Sequence, residues 1–267
     1  DLFEEDHMYA TERQQQIEQL IATDGRVAVV DLADRFGVTT ETVRRDLAAL
    51  ERTGVVRRVH GGAVHRTRAS TAEASVAERA SQRSGSKQTI ARAAVDLLGE
   101  ELDGALYLDA GTTTGAIAQL LATGPHPAGD LEVVTHSMSV AHILAGAQGI
   151  GLTAIGGRVR GLTAAAVGAQ TVEAIGRLRP DIAFIGTNGV AAGFGLSTPD
   201  PDEAAVKRAI VASARRVVVV ADGDKFDAEL LVSFASLSDV DVLLTDTAPT
   251  GDLAGALREA DVEVQLA

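Results

Sequence analysis

The sequence predicts an α/β protein with two parts: a small helical unit that ends in a β-ribbon, and a larger unit built on a doubly wound, mostly parallel sheet. Two observations support this fold class. Residues 8–64 hold three stretches with the apolar spacing of helices, followed by a short ribbon-like segment. From residue 86 onward, short apolar runs alternate with amphipathic stretches, which is typical of parallel strands joined by helices.

Composition restricts the classes of protein that this chain can be. With 267 residues and 46% hydrophobic content it can bury two cores, and without cysteine it has no disulfide or thiolate site. No apolar run reaches the ~18 residues of a membrane span and no secretory signal is present, so we expect a cytoplasmic protein without a membrane partner. We also expect no metal and no cofactor. Met8 is the expected natural start, after an acidic, patternless stretch at 1–7.

The formal net charge of −13 argues against nucleic-acid binding by the chain as a whole. The charge is unevenly distributed, however, because residues 8–68 carry ten Lys or Arg and eight Asp or Glu. Within 44–68 there are seven arginines and two acidic residues. A positive field is therefore concentrated where phosphate contact would need it, and the acidic remainder is expected to have a different task.

Three helices are expected in the first unit, 8–64. The first covers 13–23, and the second covers 30–36 with Asp31 as its N-cap. Gly37 begins the tight turn that leads into the third helix.

The third helix is the one that we expect to contact DNA. Thr39 or Thr40 caps its N-terminus and Gly54 ends it. Its apolar stripe consists of Val43, Leu47 and Leu50. The expected contacts to base edges and phosphates lie on its opposite face and are Thr40, Thr42, Arg44 and Arg45.

The sequence VVRRVHGG follows at 55–62 and predicts a short β-ribbon, along which Arg57, Arg58 and His60 would contact a phosphate backbone. Three helices and a ribbon of this length predict a winged helix-turn-helix. The alternative is a small helical bundle with surface arginines. It is less favoured because the arginines fall on the helix and ribbon that would contact DNA.

Two motifs carry a resemblance to a known family. The spacing Arg13-x3-Ile17-x3-Ile21 is followed, after seventeen intervening residues, by Thr39-x2-Thr42-Val43-Arg44-Arg45-Asp46-Leu47, and RRVHGGA stands at 57–63. Together they resemble the DeoR family of bacterial repressors. The resemblance implies a DNA-binding repressor of carbohydrate metabolism genes that binds double-stranded operator DNA as a homodimer or homotetramer.

Residues 65–85 lack sustained apolar periodicity and are expected to be a linker. The second unit, 86–267, opens with an amphipathic helix. Strands are then predicted over 105–109, 131–135, 150–155, 181–186, 216–221, 241–245 and 262–266. Further helices are predicted over 114–123, 138–146, 166–177, 202–214 and 252–260.

Ligands of such sheets bind at the carboxyl ends of the strands. After the first strand, Asp109-Ala110-Gly111-Thr112-Thr113-Thr114 leads into a helix, and its glycine, hydroxyls and helix N-terminus favour a phosphate. The sequence is neither a P-loop nor a dinucleotide-binding GxGxxG turn. The alternative function, helix capping, needs one threonine rather than three.

Polar residues also follow the other predicted strands. They are Thr135, His136 and Ser137 after the second strand, Gly156, Gly157 and Arg158 after the third, Asn188 after the fourth and Lys225 after the fifth. Glu203 and Lys207 are four residues apart on the helix between the fourth and fifth strands. Such a pair is most often a surface ion pair, and otherwise a contact to sugar hydroxyls. Arg158 and Arg160 would suit a second phosphate, a surface carboxylate or solvent.

The resemblance extends to this second unit, which is similar to the DeoR-type effector domain and to the fold of ribose-5-phosphate isomerase and glucosamine-6-phosphate deaminase. It implies that the strand-end residues from Asp109 to Lys225 form a pocket for a phosphorylated sugar. GGRVRG, GTNGV and STPDPDEAAVKRA are most similar to a fructose-utilisation subgroup, so fructose 1-phosphate or fructose 1,6-bisphosphate is the expected effector. His136 stands where the family commonly has Asn, and Asp224 and Asp227 flank Lys225 where small residues are usual.

A sugar-phosphate isomerase is the alternative function, because Glu203 and Lys207 would supply a base and an acid. However, the position after the fourth strand, where an isomerase would be expected to carry an acidic pair, holds Thr187-Asn188-Gly189. Asparagine cannot act as a general base. We therefore expect a binding site without turnover, and no enzyme.

Overall fold

The computed structural model describes residues 9–24, 26–52, 56–59, 61–65, 70, 71, 73, 75–99, 104–124 and 131–267. Contacts divide the chain into two compact units, 1–72 and 73–267. We call them the N-terminal unit and the C-terminal unit.

The N-terminal unit is a three-helix fold with a small antiparallel sheet. Its helices are α1 (Ala10–Asp24), α2 (Val29–Phe36) and α3 (Thr40–Arg52). Its strands are β1 (Arg26–Ala28), β2 (Val56–Val59) and β3 (Gly62–His65), in the order β1-β3-β2. The buried core combines Ile17, Ile21, Val43, Leu47 and Val56, as the apolar stripe of the third helix predicted.

The ends of these helices only partly match the sequence prediction. Thr39 caps α3, because its Oγ1 accepts a hydrogen bond of 3.2 Å from the Thr42 N–H. Gly37 forms the expected turn and has a left-handed φ of 62°. The prediction that Asp31 caps α2 is wrong: the helix begins two residues earlier, after Ala28, which makes no side-chain cap. The predicted stop at Gly54 lies outside the described residues.

Two features of the N-terminal unit were not predicted. The first is β1, in which Val27 pairs with Ala63. A Cβ added to Gly62 would lie only 2.0 Å from the Val27 carbonyl oxygen. The second is a buried ion pair: Arg13 Nε lies 2.5 Å from Asp46 Oδ2, and both residues are buried. This pair joins α1 to α3 beside the apolar core.

Removing one partner of a buried ion pair leaves the other charge uncompensated. We expect Asp46→Ala to destabilise the N-terminal unit by about 3–5 kcal/mol. Denaturant unfolding, followed by hydrogen exchange of peptides from each unit, would measure the loss. Asp34→Asn, at an exposed position on α2, is the matched control and should change stability little. Equal stability of the Asp46 and Asp34 variants would contradict the structural role of the pair.

The C-terminal unit is built on a seven-stranded parallel sheet. Its strands are β4 (Gly104–Leu108), β5 (Leu131–Thr135), β6 (Ile150–Ala154), β9 (Ile182–Gly186), β12 (Val217–Val220), β14 (Val242–Thr245) and β15 (Glu263–Leu266). Their order in the sheet is β15-β14-β12-β9-β4-β5-β6. These are the seven predicted strands, each within one residue of the expected limits, so the predicted fold class is confirmed.

Helices cover both faces of this sheet, which explains why its inner strands, such as β9, β12 and β14, are apolar on both sides. They are α4 (Val76–Ser81), α5 (Ser84–Leu98), α6 (Thr112–Thr123), α7 (Met138–Leu144), α8 (Ala169–Gly176), α9 (Pro201–Ser213) and α10 (Gly251–Glu259). Along β4, Leu106 and Leu108 belong to the core with α5, α6 and α7, whereas Tyr107 belongs to the core with α8, α9 and α10. Helix α4 lies in the stretch predicted as linker.

Two small antiparallel sheets complete this unit, and neither was predicted. One is the hairpin β7 (Arg158–Arg160) and β8 (Ala165–Val167). The other has the order β10-β11-β13 and consists of β10 (Gly189–Ala191), β11 (Gly195–Thr198) and β13 (Val232–Ala235).

The strand order reverses between β4 and β9. From β4 the chain continues to β5 and β6 on one side of the sheet, and β9, β12, β14 and β15 follow on the other. In open parallel sheets, the crevice at the carboxyl ends of the strands at such a switch point is where ligands bind. The residues that follow β4 and β9 are therefore the place to look for a site.

Candidate functional site

The exposed face of α3 presents the residues that were predicted to contact DNA. Thr40 is exposed, and the side chains of Arg44 and Arg45 are 56% and 81% exposed. Glu41 lies 3.9 Å from Arg44 and 3.7 Å from Arg45. Such exposed pairs contribute little to stability, so both guanidinium groups can exchange Glu41 for a phosphate. Thr42 is half-buried, and its hydroxyl lies 2.9 Å from that of Thr39.

The ribbon β2–β3 forms the predicted wing. Arg57 pairs with Val64 in the antiparallel register, and Arg58 is exposed. The Arg58 N–H donates a 3.0 Å hydrogen bond to Glu51 at the end of α3, which ties the wing to this helix. His60 and the Arg57 side chain lie outside what the structure describes.

A buried ion pair occupies the switch point of the C-terminal unit. Asp109 follows β4 and is fully buried, and its Oδ2 accepts a 2.9 Å hydrogen bond from the Gly186 N–H at the end of β9. Lys207, from α9, donates to the same Oδ2 and, over 2.8 Å, to the Gly186 carbonyl. The ammonium group also lies 5.6 Å from the ring centre of Phe234. One aspartate thus joins β4, β9 and α9.

His136, after β5, completes this cluster. Its Nδ1 lies 3.0 Å from the Tyr107 hydroxyl and its Nε2 lies 3.7 Å from Asp109 Oδ1. Burial, together with the Asp109 charge, raises the pKa of Tyr107, so its hydroxyl stays protonated and shares a hydrogen bond with Nδ1. Burial lowers the pKa of His136 to about 4, against the opposing effect of Asp109. The ring is therefore neutral at pH 7.

Several predicted hydroxyls stabilise the loops of the site rather than facing outward. The Thr114 hydroxyl is buried and donates to the carbonyl oxygens of Asp109 (2.7 Å) and Gly111 (3.1 Å). Thr135 donates to a carbonyl of β4, and Ser137 caps α7. Because the Thr114 proton bonds to backbone, the sequence argument that three hydroxyls of the 112–114 run all donate to a phosphate needs correction.

The first turn of α6 still offers an anion site. Thr112 and Gly111 are half-buried, and Thr113 is buried. The N–H groups of a helix's first turn have no partner within the helix, and the helix dipole makes this end positive. Backbone N–H groups here, rather than three threonine hydroxyls, are the donors available to a phosphate.

Glu203 and Lys207 do not form a surface ion pair, so the interpretation of their four-residue spacing as such a pair is wrong. Both are buried, since α9 packs against the sheet along this face. Lys207 pairs with Asp109, while Glu203 accepts hydrogen bonds from the Thr163 hydroxyl and, over 3.2 Å, from Arg160. Burial raises the pKa of Glu203, although Thr163 and the nearby cations oppose this.

The remaining predicted residues lie in three separate settings. Arg158 is exposed and pairs with Asp202. Gly157 has a φ of 154°, and a Cβ there would stand 2.1 Å from the Thr171 hydroxyl, which donates to the Gly156 carbonyl. Asn188 is half-buried, and its Oδ1 accepts a 3.1 Å hydrogen bond from Thr198. None of these contacts joins Arg158 or Asn188 to the Asp109–Lys207 pair.

Lys225 lies in a second charged cluster, at the carboxyl ends of β12 and β14. It is half-buried and ends the short 3-10 helix Gly223–Lys225. Beside it, Arg83 binds Asp224 (2.7 Å) and Asp246 (2.8 Å).

Lys87 is buried and donates to the carbonyl oxygens of Arg79 and, over 2.6 Å, Gln82. Burial lowers the pKa of Lys87 to about 8. The sequence analysis did not identify Arg83 or Lys87, although Lys87 is one of only three lysines.

Fold and site together define a class of protein: a winged helix-turn-helix joined to an α/β unit with a polar site at its switch point. Residues 13–69 match the family model of the DeoR-like helix-turn-helix domain, and residues 82–247 match that of the DeoR C-terminal sensor domain. The chain belongs to the DeoR family of DNA-binding regulators. No helix among the described residues is long and apolar enough to cross a membrane.

Similar proteins include regulators from bacteria and archaea. The HTH-type transcriptional regulator GlpR of Haloferax volcanii is 35% identical over 96% of this chain and 98% of its own length. FruR of Bacillus subtilis, itself an uncharacterized HTH-type regulator, is 35% identical over 90% of this chain and 92% of its own. The glycerol-3-phosphate regulon repressor of Escherichia coli K12 is 29% identical over 97% of this chain and all of its own. These relatives are regulators, and the chain is a regulator rather than an enzyme.

Among solved structures, ribose 5-phosphate isomerase A of Methanocaldococcus jannaschii matches 52% of this chain and 53% of its own, with 17% identity and a TM-score of 0.37.

The buried, neutral His136 makes the stability of the C-terminal unit depend on pH. Its pKa is 6.5 in an unfolded chain and about 4 here, so the unfolded chain binds a proton more readily below pH 6.5. The neutral ring contributes fully to stability above pH 6.5. As the pH falls towards 4, the free energy of unfolding decreases by up to about 3 kcal/mol. Denaturant unfolding across this range should show a smaller loss in His136→Asn than in the wild type. His142→Asn, at an exposed position on α7, is the control and should follow the wild type. Equal slopes in all three proteins would exclude His136 as the titrating group.

Proposed function

We propose that this protein is a transcriptional repressor of carbohydrate metabolism genes whose affinity for its operator is controlled by a phosphorylated sugar. The observation that carries the proposal is the Asp109–Lys207 pair, a buried charged centre at the switch point beside the N-terminus of α6. Such a centre provides acceptors and donors for a polyhydroxyl ligand, and the helix N-terminus favours an anion. The repressor acts in the cytoplasm, where its operator is.

The phosphate of this ligand binds at the first turn of α6, and Lys225, which follows β12 two strands along the same edge of the sheet, supplies a cation. Its sugar hydroxyls face Glu203 and the Asp109 centre. Asp109 Oδ1 supports this assignment: it is buried and has no hydrogen-bond partner among the described residues. A buried acceptor without a partner is costly, and a ligand hydroxyl would satisfy it.

Fructose 1-phosphate is our first candidate for the effector, and fructose 1,6-bisphosphate is the second. Two relatives support a small phosphorylated polyol: one is named FruR, and another is named for the glycerol-3-phosphate regulon. The exposed Arg158 and its partner Asp202 lie at the surface of this region, where a second phosphate would compete with Asp202.

On DNA, we propose that α3 enters the major groove and the wing follows the phosphate backbone. A homodimer or homotetramer engages two or more operator half-sites at once. Because the second contact forms at a high effective concentration, a modest effector-induced change in the N-terminal units is enough to release the operator.

Arg45 provides the test of the DNA interface. Its side chain is 81% exposed, so Arg45→Ala should leave folding unchanged and weaken operator binding by about 1–3 kcal/mol. Fluorescence anisotropy of upstream DNA, recorded at several salt concentrations, would measure this loss. Arg177→Ala, at an exposed position in the C-terminal unit, should bind DNA as the wild type does. Unchanged affinity in Arg45→Ala would remove α3 from the interface.

Lys225 provides the test of the effector site. Fructose 1-phosphate, and not fructose, should release labelled operator from the wild type. Lys225→Gln should need roughly ten- to hundredfold more of it, because a charged hydrogen bond contributes about 1.5–3 kcal/mol. The control is Arg215→Gln, which removes a cation at the amino end of the same sheet. Operator binding that no sugar phosphate changes would overturn the effector proposal and leave the DNA interface intact.

A further inference from the structure

A buried carboxylate from the start of the C-terminal unit reaches the effector site. Glu73 is the first residue of this unit along the chain, and its side chain is only 2% exposed. Its Oε2 lies 2.7 Å from Arg160 Nη1, and its Oε1 lies 3.9 Å from Arg79 Nη2. The chain that arrives from the N-terminal unit is thus attached through a charge, not through apolar packing alone.

Arg160 contacts both this carboxylate and Glu203 of the proposed effector site. Its Nη1 also lies 3.2 Å from Glu203 Oε1, and its Nε lies 3.1 Å from Asp200, the N-cap of α9. One guanidinium therefore compensates three carboxylates, from Glu73, Asp200 and Glu203. Any ligand that changes the position of Glu203 changes how much of the Arg160 charge remains for Glu73.

A backbone contact continues the attachment. The Val76 N–H, in the first turn of α4, donates a 3.1 Å hydrogen bond to the Leu162 carbonyl, two residues after Arg160. Ser75 caps α4 through a capping box with Glu78. Release of Glu73 would therefore free the first turn of α4 from the β7–β8 turn without unfolding the helix itself.

We propose that Glu73 and Arg160 form a latch through which the effector site controls the segment that leads to the N-terminal unit. This inference rests on the proposed function. The ligand group that acts on the latch is a sugar hydroxyl, because a phosphate would be repelled by Asp200 and Glu203. A hydroxyl that hydrogen-bonds to Glu203 takes the place of Arg160 there. The Arg160 charge is then shared with Asp200 and Glu73 alone, so its contact with Glu73 strengthens and the latch closes. Glu73 and Arg160 are positioning residues: they act through Glu203 and through the chain before α4.

Hydrogen exchange of the full-length protein without ligand is the first test. The Val76 amide, measured in peptides from 75–81, should exchange about tenfold faster in Glu73→Gln than in the wild type. Glu173→Gln is the control, since Glu173 forms an exposed ion pair with Arg177 on α8. Peptides covering β12 should stay protected in every variant, which separates opening of the latch from unfolding. Wild-type exchange in Glu73→Gln, with β12 protected, would overturn the latch.

Fructose 1-phosphate is the probe in the second arm. In the wild type it should slow exchange at 75–81, whereas Glu73→Gln should bind the sugar, by calorimetry, without a change there. Sugar binding that leaves exchange at 75–81 unchanged in the wild type would overturn the coupling while keeping the proposed function. Absence of sugar binding would instead overturn the proposed function, and the ligand-free comparison would then decide the latch alone.

Discussion

The buried pair of Asp109 and Lys207 is the interaction on which the C-terminal unit depends. Two charges removed from water are tolerated only when each is paired and hydrogen-bonded, and the Gly186 N–H and carbonyl supply the additional bonds. This requirement fixes the ends of β4 and β9 relative to α9. The same requirement keeps His136 neutral, because a second positive charge beside Lys207 would have to be buried too.

The arrangement of loops around this pair follows from it. The Thr114 and Thr135 hydroxyls donate hydrogen bonds to backbone carbonyl oxygens at the end of β4, so the strand end is rigid before any ligand binds. A rigid site loses little entropy on binding, and recognition can then depend on the few groups with unused bonding capacity. Asp109 Oδ1 is such a group among the described residues.

The sequence was sufficient to predict the sheet and the edge at which its polar residues meet, for identifiable reasons. A run such as Val217–Val220 is apolar on both faces only in a covered parallel strand, and polar residues that follow such strands meet at one edge. The sequence could not predict which charged residues pair over long distances along the chain. Arg13 and Asp46 are 33 residues apart, and composition does not tell which aspartate a buried arginine meets. Glu73 lay in a stretch without periodicity, so its burial had no local signal.

The scarcity of lysine has a practical consequence. Lys87 and Lys207 are buried, with their ammonium groups bonded to carbonyl oxygens or to Asp109, whereas Lys225 is half-buried. An amine-directed reagent applied to the native protein would therefore reach the Lys225 side chain before those of the other two lysines. Covalent chemistry can therefore attach a reporter at the rim of the sensor site without engineering a new residue, and the rate of that attachment would itself report occupancy.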